Sequence, residues 1–421
     1  MRWSSGISRR TATDAAVDEA AESARAGLAG EEPDLVLLFA TPHHQQQFAE
    51  LPIKIAAHFP RALLVGCSGY GVVGHSVEVE RAAGLSLTVA SLPGVDLRPF
   101  HIDDAQVPEP EVAALQWRMR LGLPLRVDVA SPGESTPVVV LPEPFSLRIE
   151  RLLRSLDAAF PRSVKVGGAV SGGSRPGKHA LWLGPQLFSH GAVGVAMRGQ
   201  VTVDTVVAQG SKPIGSPLLV TKAHGNVILE VDGKTPLEAL KALAAELSAD
   251  DLALVRRALL LGVEVEPDRM DYGPGDYLVR QIAELDEKKG WLSLGSPVQA
   301  WQVVQFHVRD GKTSADDLRR MLHRYCQKQG DGSPQGALLF SCLGRGEGLY
   351  GKPNHDSDVF GTMLPGVPLG GFFCNGEIGK AGKNTALHGF TSSFGLFRDP
   401  ANPPSEPVAD PQWQVRDAAE A

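Results

Sequence analysis

The chain has 421 residues, of which 43% are hydrophobic and 21% charged, with a formal net charge of -7. That composition is ordinary for a globular protein with room for two domains and a sizeable core. An acidic balance without a run of Lys or Arg speaks against a nucleic-acid or anionic-membrane surface, and no apolar run is long enough to span a bilayer.

At the N-terminus, Arg2, Arg9 and Arg10 are followed by Asp14, Asp18, Glu19 and Glu22 instead of an apolar core. This resembles neither a secretory signal nor a transit peptide, so a cytoplasmic location is expected. Thr11 and Thr13 then precede an Ala-rich stretch with Val17, Ala20, Ala21, Ala24 and Leu28 at helical spacing, closed by Gly30. A helix is predicted there, within an N-terminal segment spanning 1–32.

Three stretches share one plan. Each opens with a short apolar run that predicts a buried strand: Leu35-Val-Leu-Leu-Phe39, Val138-Val-Val-Leu141 and Ala337-Leu-Leu-Phe340. A Pro follows, and then a turn of small residues: Val65-Gly-Cys-Ser-Gly69, Val166-Gly-Gly-Ala-Val-Ser-Gly172 and Gly370-Gly-Phe-Phe-Cys-Asn-Gly376. A further strand is predicted in each copy, at Leu85-Ser-Leu-Thr-Val89, Ala192-Val-Gly-Val-Ala196 and Leu387-His-Gly-Phe-Thr391. In the second copy the connector reads as a helix capped by Ser146, with Ile149, Leu152, Leu153, Leu156 and Phe160 on one side.

Between the second and third copies, Gly210-Ser-Lys-Pro-Ile-Gly-Ser-Pro217 has the character of a hinge or domain junction. Thr235-Pro-Leu-Glu238 is a capping box that opens a helix, and Ser248 starts a second. Strands are predicted at 263–265, 277–282 and 301–308. Ser314-Ala-Asp-Asp317 predicts the cap of a helix whose face carries Leu318, Met321, Leu322, Tyr325 and Cys326, which makes Cys326 a core residue. Beyond Arg398, at 399–421, a Pro-, Asp-, Glu- and Ala-rich tail is expected to be disordered.

Several motifs come close to known chemistry and miss. Gly69-Tyr-Gly-Val-Val-Gly74 fits a dinucleotide fingerprint, but the alternating His75-Ser-Val-Glu-Val-Glu80 predicts a strand where a helix is required. In Gly172-Gly-Ser-Arg-Pro-Gly-Lys178 the next residue, His179, replaces the Ser or Thr of a phosphate-binding loop. Gly66-Cys-Ser-Gly-Tyr70 fails as a serine nucleophile elbow. The 4 cysteines, Cys67, Cys326, Cys342 and Cys374, form no CxxC pair and no zinc-spaced set with His, so reduced thiols, no metal and no cofactor are expected. Cys67 and Cys374 lie in corresponding turns and are the candidates for a thiol nucleophile, against a reading as small buried residues. Glu377 follows Asn375-Gly376 in an apolar segment, so its carboxylate needs a turn amide, a cation or a ligand amine. His388 and Thr391 are polar positions in a strand predicted to be central.

Leu369-Gly-Gly-Phe-Phe-Cys-Asn-Gly-Glu-Ile-Gly379 and Leu387-His-Gly-Phe-Thr-Ser-Ser-Phe394 resemble the signature of the FIST C-terminal domain. Leu64-Val-Gly-Cys-Ser-Gly-Tyr-Gly-Val-Val-Gly74 is similar to the FIST N-terminal domain. The resemblance implies a sensory module of intracellular signalling that binds a small ligand, an amino acid being the usual suggestion, and that passes its signal to another protein. It brings no catalytic residues with it.

An α+β architecture of mixed sheets is expected, built from repeated strand–helix–strand–turn–strand units in two related halves. The FIST N-terminal domain is placed at 33–222 and the C-terminal domain at 223–398. The expected ligand site gathers the small-residue turns in one cleft: Gly66, Cys67, Ser68, Gly69, Gly168, Ser171, Cys374, Asn375, Gly376, Glu377, His388 and Thr391. The rival readings are a thiol-dependent hydrolase or transferase using Cys67 or Cys374, and a protein-binding scaffold.

Overall fold

A computed structural model describes residues 1–125, 135–267, 269, 271–273, 275–329 and 333–400. The tail expected to be disordered therefore lies almost wholly outside the described residues.

One α+β unit recurs three times, twice in the N-terminal half and once in the C-terminal half. The first unit runs β1 (Arg2–Ser8), α1 (Thr13–Gly27), β2 (Leu35–Ala40), α2 (Leu51–His58), β3 (Leu63–Ser68), the hairpin β4 (Gly71–Gly74) and β5 (Val77–Glu80), and β6 (Leu85–Ser91). The second runs β7 (Val95–Ile102), α3 (Pro110–Arg120), β8 (Val138–Pro142), α4 (Ile149–Ala159), β9 (Lys165–Gly168), the hairpin β10 (Leu181–Leu183) and β11 (Gln186–Phe188), and β12 (Ala192–Gly199). The third opens with β13 (Thr202–Gln209), after which a barrel is inserted. The barrel comprises β14 (Ser211–His224), β15 (Val227–Val231), α5 (Pro236–Glu246), α6 (Ala249–Ala258), β16 (Leu259–Glu264), β17 (Tyr277–Leu285), β18 (Leu292–Leu294) and β19 (Val303–Arg309). The third unit resumes with α7 (Gly311–Gln329), β20 (Gly336–Cys342), α8 (Glu347–Tyr350), α9 (His355–Met363), β21 (Leu369–Cys374), the hairpin β22 (Glu377–Ala381) and β23 (Asn384–His388), and β24 (Thr391–Arg398).

Each unit builds a sheet on a parallel pair, β2 with β3, β8 with β9 and β20 with β21, flanked by an antiparallel strand, β6, β12 or β24. Strands paired on both sides and covered on both faces read as continuous apolar runs, which explains Leu-Val-Leu-Leu-Phe-Ala in β2, buried throughout. The hairpins do not stay at home. β4 of the first unit pairs with β21 of the third, β10 of the second with β3 of the first, and β22 of the third with β9 of the second. The exchange closes a ring, and each sheet is completed by its neighbour.

Corresponding glycines permit the tight parallel pairing. A Cβ on Gly66, Gly167 or Gly371 would lie 2.1, 1.8 or 1.9 Å from the carbonyl oxygen of Leu38, Val140 or Leu339 respectively. Between the three sheets, side chains from all units form one apolar core. Phe39 stacks on Phe372 at 4.9 Å, and Phe340 meets Phe372 edge-on at 5.9 Å. Each such ring contributes about 1.5–3 kcal/mol by leaving water.

Several local expectations are corrected. Ser146 does not cap α4; its hydroxyl donates to Glu143 and accepts from the Gly191 amide, while Asp104 accepts from the Arg148 amide at the helix entrance. Ser314 lies inside α7 and donates to the Gly210 carbonyl, and Asp310 takes the amides of Lys312 and Thr313 at the start. In the third copy the closing strand is β24; Leu387 and His388 belong to β23, separated from it by a bend at Phe390, whose φ is 64°. The segment 210–217 runs into β14, a bulged barrel strand, so its Gly and Pro mark the entrance to the insertion. Thr235 opens α5 with a capping box to Glu238, and Ser248 caps α6, as the sequence predicts.

Candidate functional site

Each parallel pair ends in its small-residue turn, and the three turns meet. Ser68 Oγ donates to the Ser171 carbonyl at 3.0 Å and accepts from the Ala180 amide at 3.1 Å. Ser171 Oγ donates to the Phe373 carbonyl and accepts from the Tyr70 amide at 2.8 Å. The Asn375 amide donates to the Ala169 carbonyl, and the Ala169 amide to that of Gly376. The sequence-predicted residues 66–69, 168–171 and 374–377 are therefore brought together by contacts that span 103 residues between the first and second turns and 202 between the second and third.

Where they meet, the space is packed. Cys67 and Cys374 belong to the central apolar cluster, and a Cβ on Gly168 would lie 2.8 Å from Cys374 Cβ. Glu377 is wholly buried, and its carboxylate accepts from the Thr391 amide at 3.0 Å, the Thr391 hydroxyl at 2.8 Å and the Cys374 thiol at 3.5 Å. Of the partners that this acid was expected to need, it has a turn amide. Burial raises its pKa to about 7 against the opposing pull of Thr391. His388, also buried, places Nε2 3.3 Å from the Gly379 carbonyl and leaves Nδ1 without a partner; burial, then the Arg280 charge, lowers its pKa to about 4. Asn375 is exposed. The expected hollow walled by Glu377 is thus occupied by protein side chains.

The thiols carry no sign of activation. Burial pushes Cys67 and Cys374 well above the ordinary thiol range, and Cys342 up to about 11. A nucleophilic cysteine needs the opposite shift.

An opening lies beside the first turn. Tyr70, Glu80, Arg81, Gly344, Arg345 and Gly348 line a recess of about 260 Å³. Arg345, 1% exposed, holds Asp356 with two parallel bonds, Nε to Oδ2 at 2.8 Å and Nη2 to Oδ1 at 3.1 Å. His355, Ser341 and Ser392 also contact that carboxylate. Burial acts to raise the Asp356 pKa, but Arg345 and these partners outweigh it and hold the acid below its usual range. Behind Asp356, Glu78 of the exchanged β5 strand accepts from the Ser357 amide at 2.8 Å and hydroxyl at 2.6 Å, leaving Oε2 unpartnered. Burial, then the Asp356 charge, raises Glu78 to about 7.

This network leaves cationic donors over. Arg345 Nη1 and Arg309 Nε and Nη2 are buried with no acceptor. The Arg309 guanidinium lies against Gly344, where a Cβ would come 2.3 Å from Nη1, and over the Phe390 ring at 5.0 Å. Sequence reasoning missed Arg345, Arg309, Asp356 and Glu78. A visible signal was Gly344-Arg345-Gly346 directly after a buried strand, a charge flanked by glycines where backbones approach closely.

A second polar cluster lies apart. Ligand atoms of His101, Asp103 and His190 fall within 4.8 Å of one another, with His101 Nε2 3.0 Å from the His190 carbonyl. His101 and Asp103 are half-buried and His190 is exposed. His179 of the near phosphate loop is buried against Glu143 at 2.7 Å, and 71–80 form the β4–β5 hairpin, so neither glycine motif presents a helix to a phosphate.

Comparison with known proteins adds to this geometry. The FIST N domain model matches residues 34–234 and the FIST C domain model residues 239–380. Uncharacterized protein Rv0628c of Mycobacterium tuberculosis is 35% identical over 399 residues, covering 95% of this chain and 100% of its own length. F-box only protein 22 of Homo sapiens is 51% identical over 43 residues, 10% of this chain and 11% of that protein. A solved cyanuric acid hydrolase chain from A. caulinodans aligns over 94% of this chain and 99% of its own, with 9% identity and a TM-score of 0.29, too low to transfer anything. Domains of the matching kind are described as sensory, ligand-binding domains of signal transduction. No helix among the described residues is long and apolar enough to cross a membrane.

Proposed function

The chain belongs to the FIST family, and we propose that it is a sensory protein whose small ligand presents a carboxylate to the recess between Tyr70 and Arg345. An amino acid suits this recess. Arg345 and Arg81 supply positive charge for its carboxylate, and Glu80 supplies an acceptor for its ammonium group. The observation that carries the reading is the Arg345 guanidinium on the recess wall, fixed in place by its two bonds to Asp356. The recess uses the Gly69-Tyr70 turn as a wall, so the small-residue turns serve it by position and their packed centre keeps them rigid.

Calorimetric titration of the natural amino acids tests this. At least one should bind, and Arg81→Ala and Tyr70→Ala, which alter only partly exposed walls, should each weaken it by roughly tenfold. A panel without a binder sinks the amino-acid reading, and a binder indifferent to both substitutions sinks the location.

A further inference from the structure

A cleft of about 570 Å³ lies between the barrel and the second unit, against the β22–β23 hairpin. Leu153 and Arg154 of α4, Leu278 and Arg280 of β17, and Asn384 and Leu387 of the hairpin form its walls. Arg280 is the unusual member. One of its N–H groups donates to the Leu387 carbonyl at 2.6 Å, and burial pulls its pKa down from the ordinary arginine value. Neither Arg280 nor Arg154 makes an ion pair among the described residues. Asp157 on the same wall is already taken by Lys165 at 2.7 Å and by the Thr385 amide and hydroxyl, both at 2.7 Å. Glu150 is exposed and acts on Arg280 only through space.

A cation partly withdrawn from water with no ion-pair partner carries a desolvation cost, and that cost falls when an anion arrives to complete it. Leu153, Leu278 and Leu387 give the same space an apolar side. We propose that this cleft binds an amphipathic organic anion, its acidic group on Arg280 and Arg154 and its hydrocarbon body on the three leucines. Such an occupant touches the second unit, the barrel and the third unit's hairpin at once. Its binding free energy is therefore added to the cohesion of all three.

The probe is 8-anilinonaphthalene-1-sulfonate, an amphipathic sulfonate whose fluorescence rises on leaving water. Full-length protein should give a saturable, single-site rise. Arg280→Gln should weaken binding by roughly tenfold or more, and Arg154→Gln by a smaller factor, because each removes a charge-assisted contact. Arg175→Ala, at an exposed loop position outside both sites, should leave the titration unchanged. Near-ultraviolet circular dichroism checks that each variant is folded. Absence of saturable binding, or equal binding by a folded Arg280→Gln, overturns the proposal. Should Arg280→Gln not fold, equal binding by Arg154→Gln, an exposed helix position, overturns it instead.

Discussion

Replacing Glu377 by Gln should flatten the pH dependence of stability. Burial raises this acid from 4.5 to about 7, so the folded state holds its proton more tightly than the unfolded chain does. The stability associated with that proton is fully present below about pH 4.5 and is lost as the pH rises through about 7. A shift of about 2.5 units corresponds to ~3.4 kcal/mol in full. About 0.8 kcal/mol of it is already gone at pH 5 and nearly all at pH 8, so the wild type should lose ~2.5 kcal/mol over that interval. Glutamine keeps an oxygen for the Thr391 amide and hydroxyl and places its amino group opposite the Cys374 sulfur. It therefore mimics the protonated acid. Urea unfolding of both proteins at about pH 5 and pH 8 measures the difference, which should move by ~2.5 kcal/mol in favour of Gln. Parallel pH profiles would refute the reasoning, since they would mean that Glu377 titrates alike in both states.

Two further outcomes follow from packing. Gly371→Ala drives a methyl group to 1.9 Å from the Leu339 carbonyl oxygen in the centre of a parallel pair, so it should cost about 3 kcal/mol or more, read as a fall in the urea midpoint. Cys67 and Cys374, buried with raised pKa values, should resist iodoacetamide at neutral pH in the native protein and react readily once unfolded, as followed by mass spectrometry. Rapid native alkylation of either would restore the thiol-enzyme reading.

The repeat was legible because each copy spells the same physical requirement. Two buried parallel strands need apolar runs, and their close approach needs a small residue at Gly66, Gly167 and Gly371. The meeting of the three turns could also be anticipated from that sameness. The exchange of hairpins could not, because Val72, Leu181 and Ile378 would be equally apolar in a sheet of their own unit. Nor could the barrel be told from two helices with strands around them, since closure depends on β14 pairing with both β15 and β19. The site was half visible. Glu377 stood out as a charge among apolar residues, and that contrast is equally what a satisfied buried acid produces. Arg345 and Asp356 lie 11 residues apart, but Glu78 joins them from a borrowed strand through Ser357, 279 residues away, and nothing local announces that link.

The ring of exchanged hairpins bears on synthesis at the ribosome. The first two units can emerge and collapse early, yet β9 has no partner on one side until residues near 378 have been made. The nascent N-terminal half thus carries an open strand edge for the time it takes to translate the barrel and most of the third unit, the kind of edge that recruits stray strands from other chains. Truncated or stalled products should be prone to aggregation even though the finished molecule, with its ring closed, offers those edges to no one.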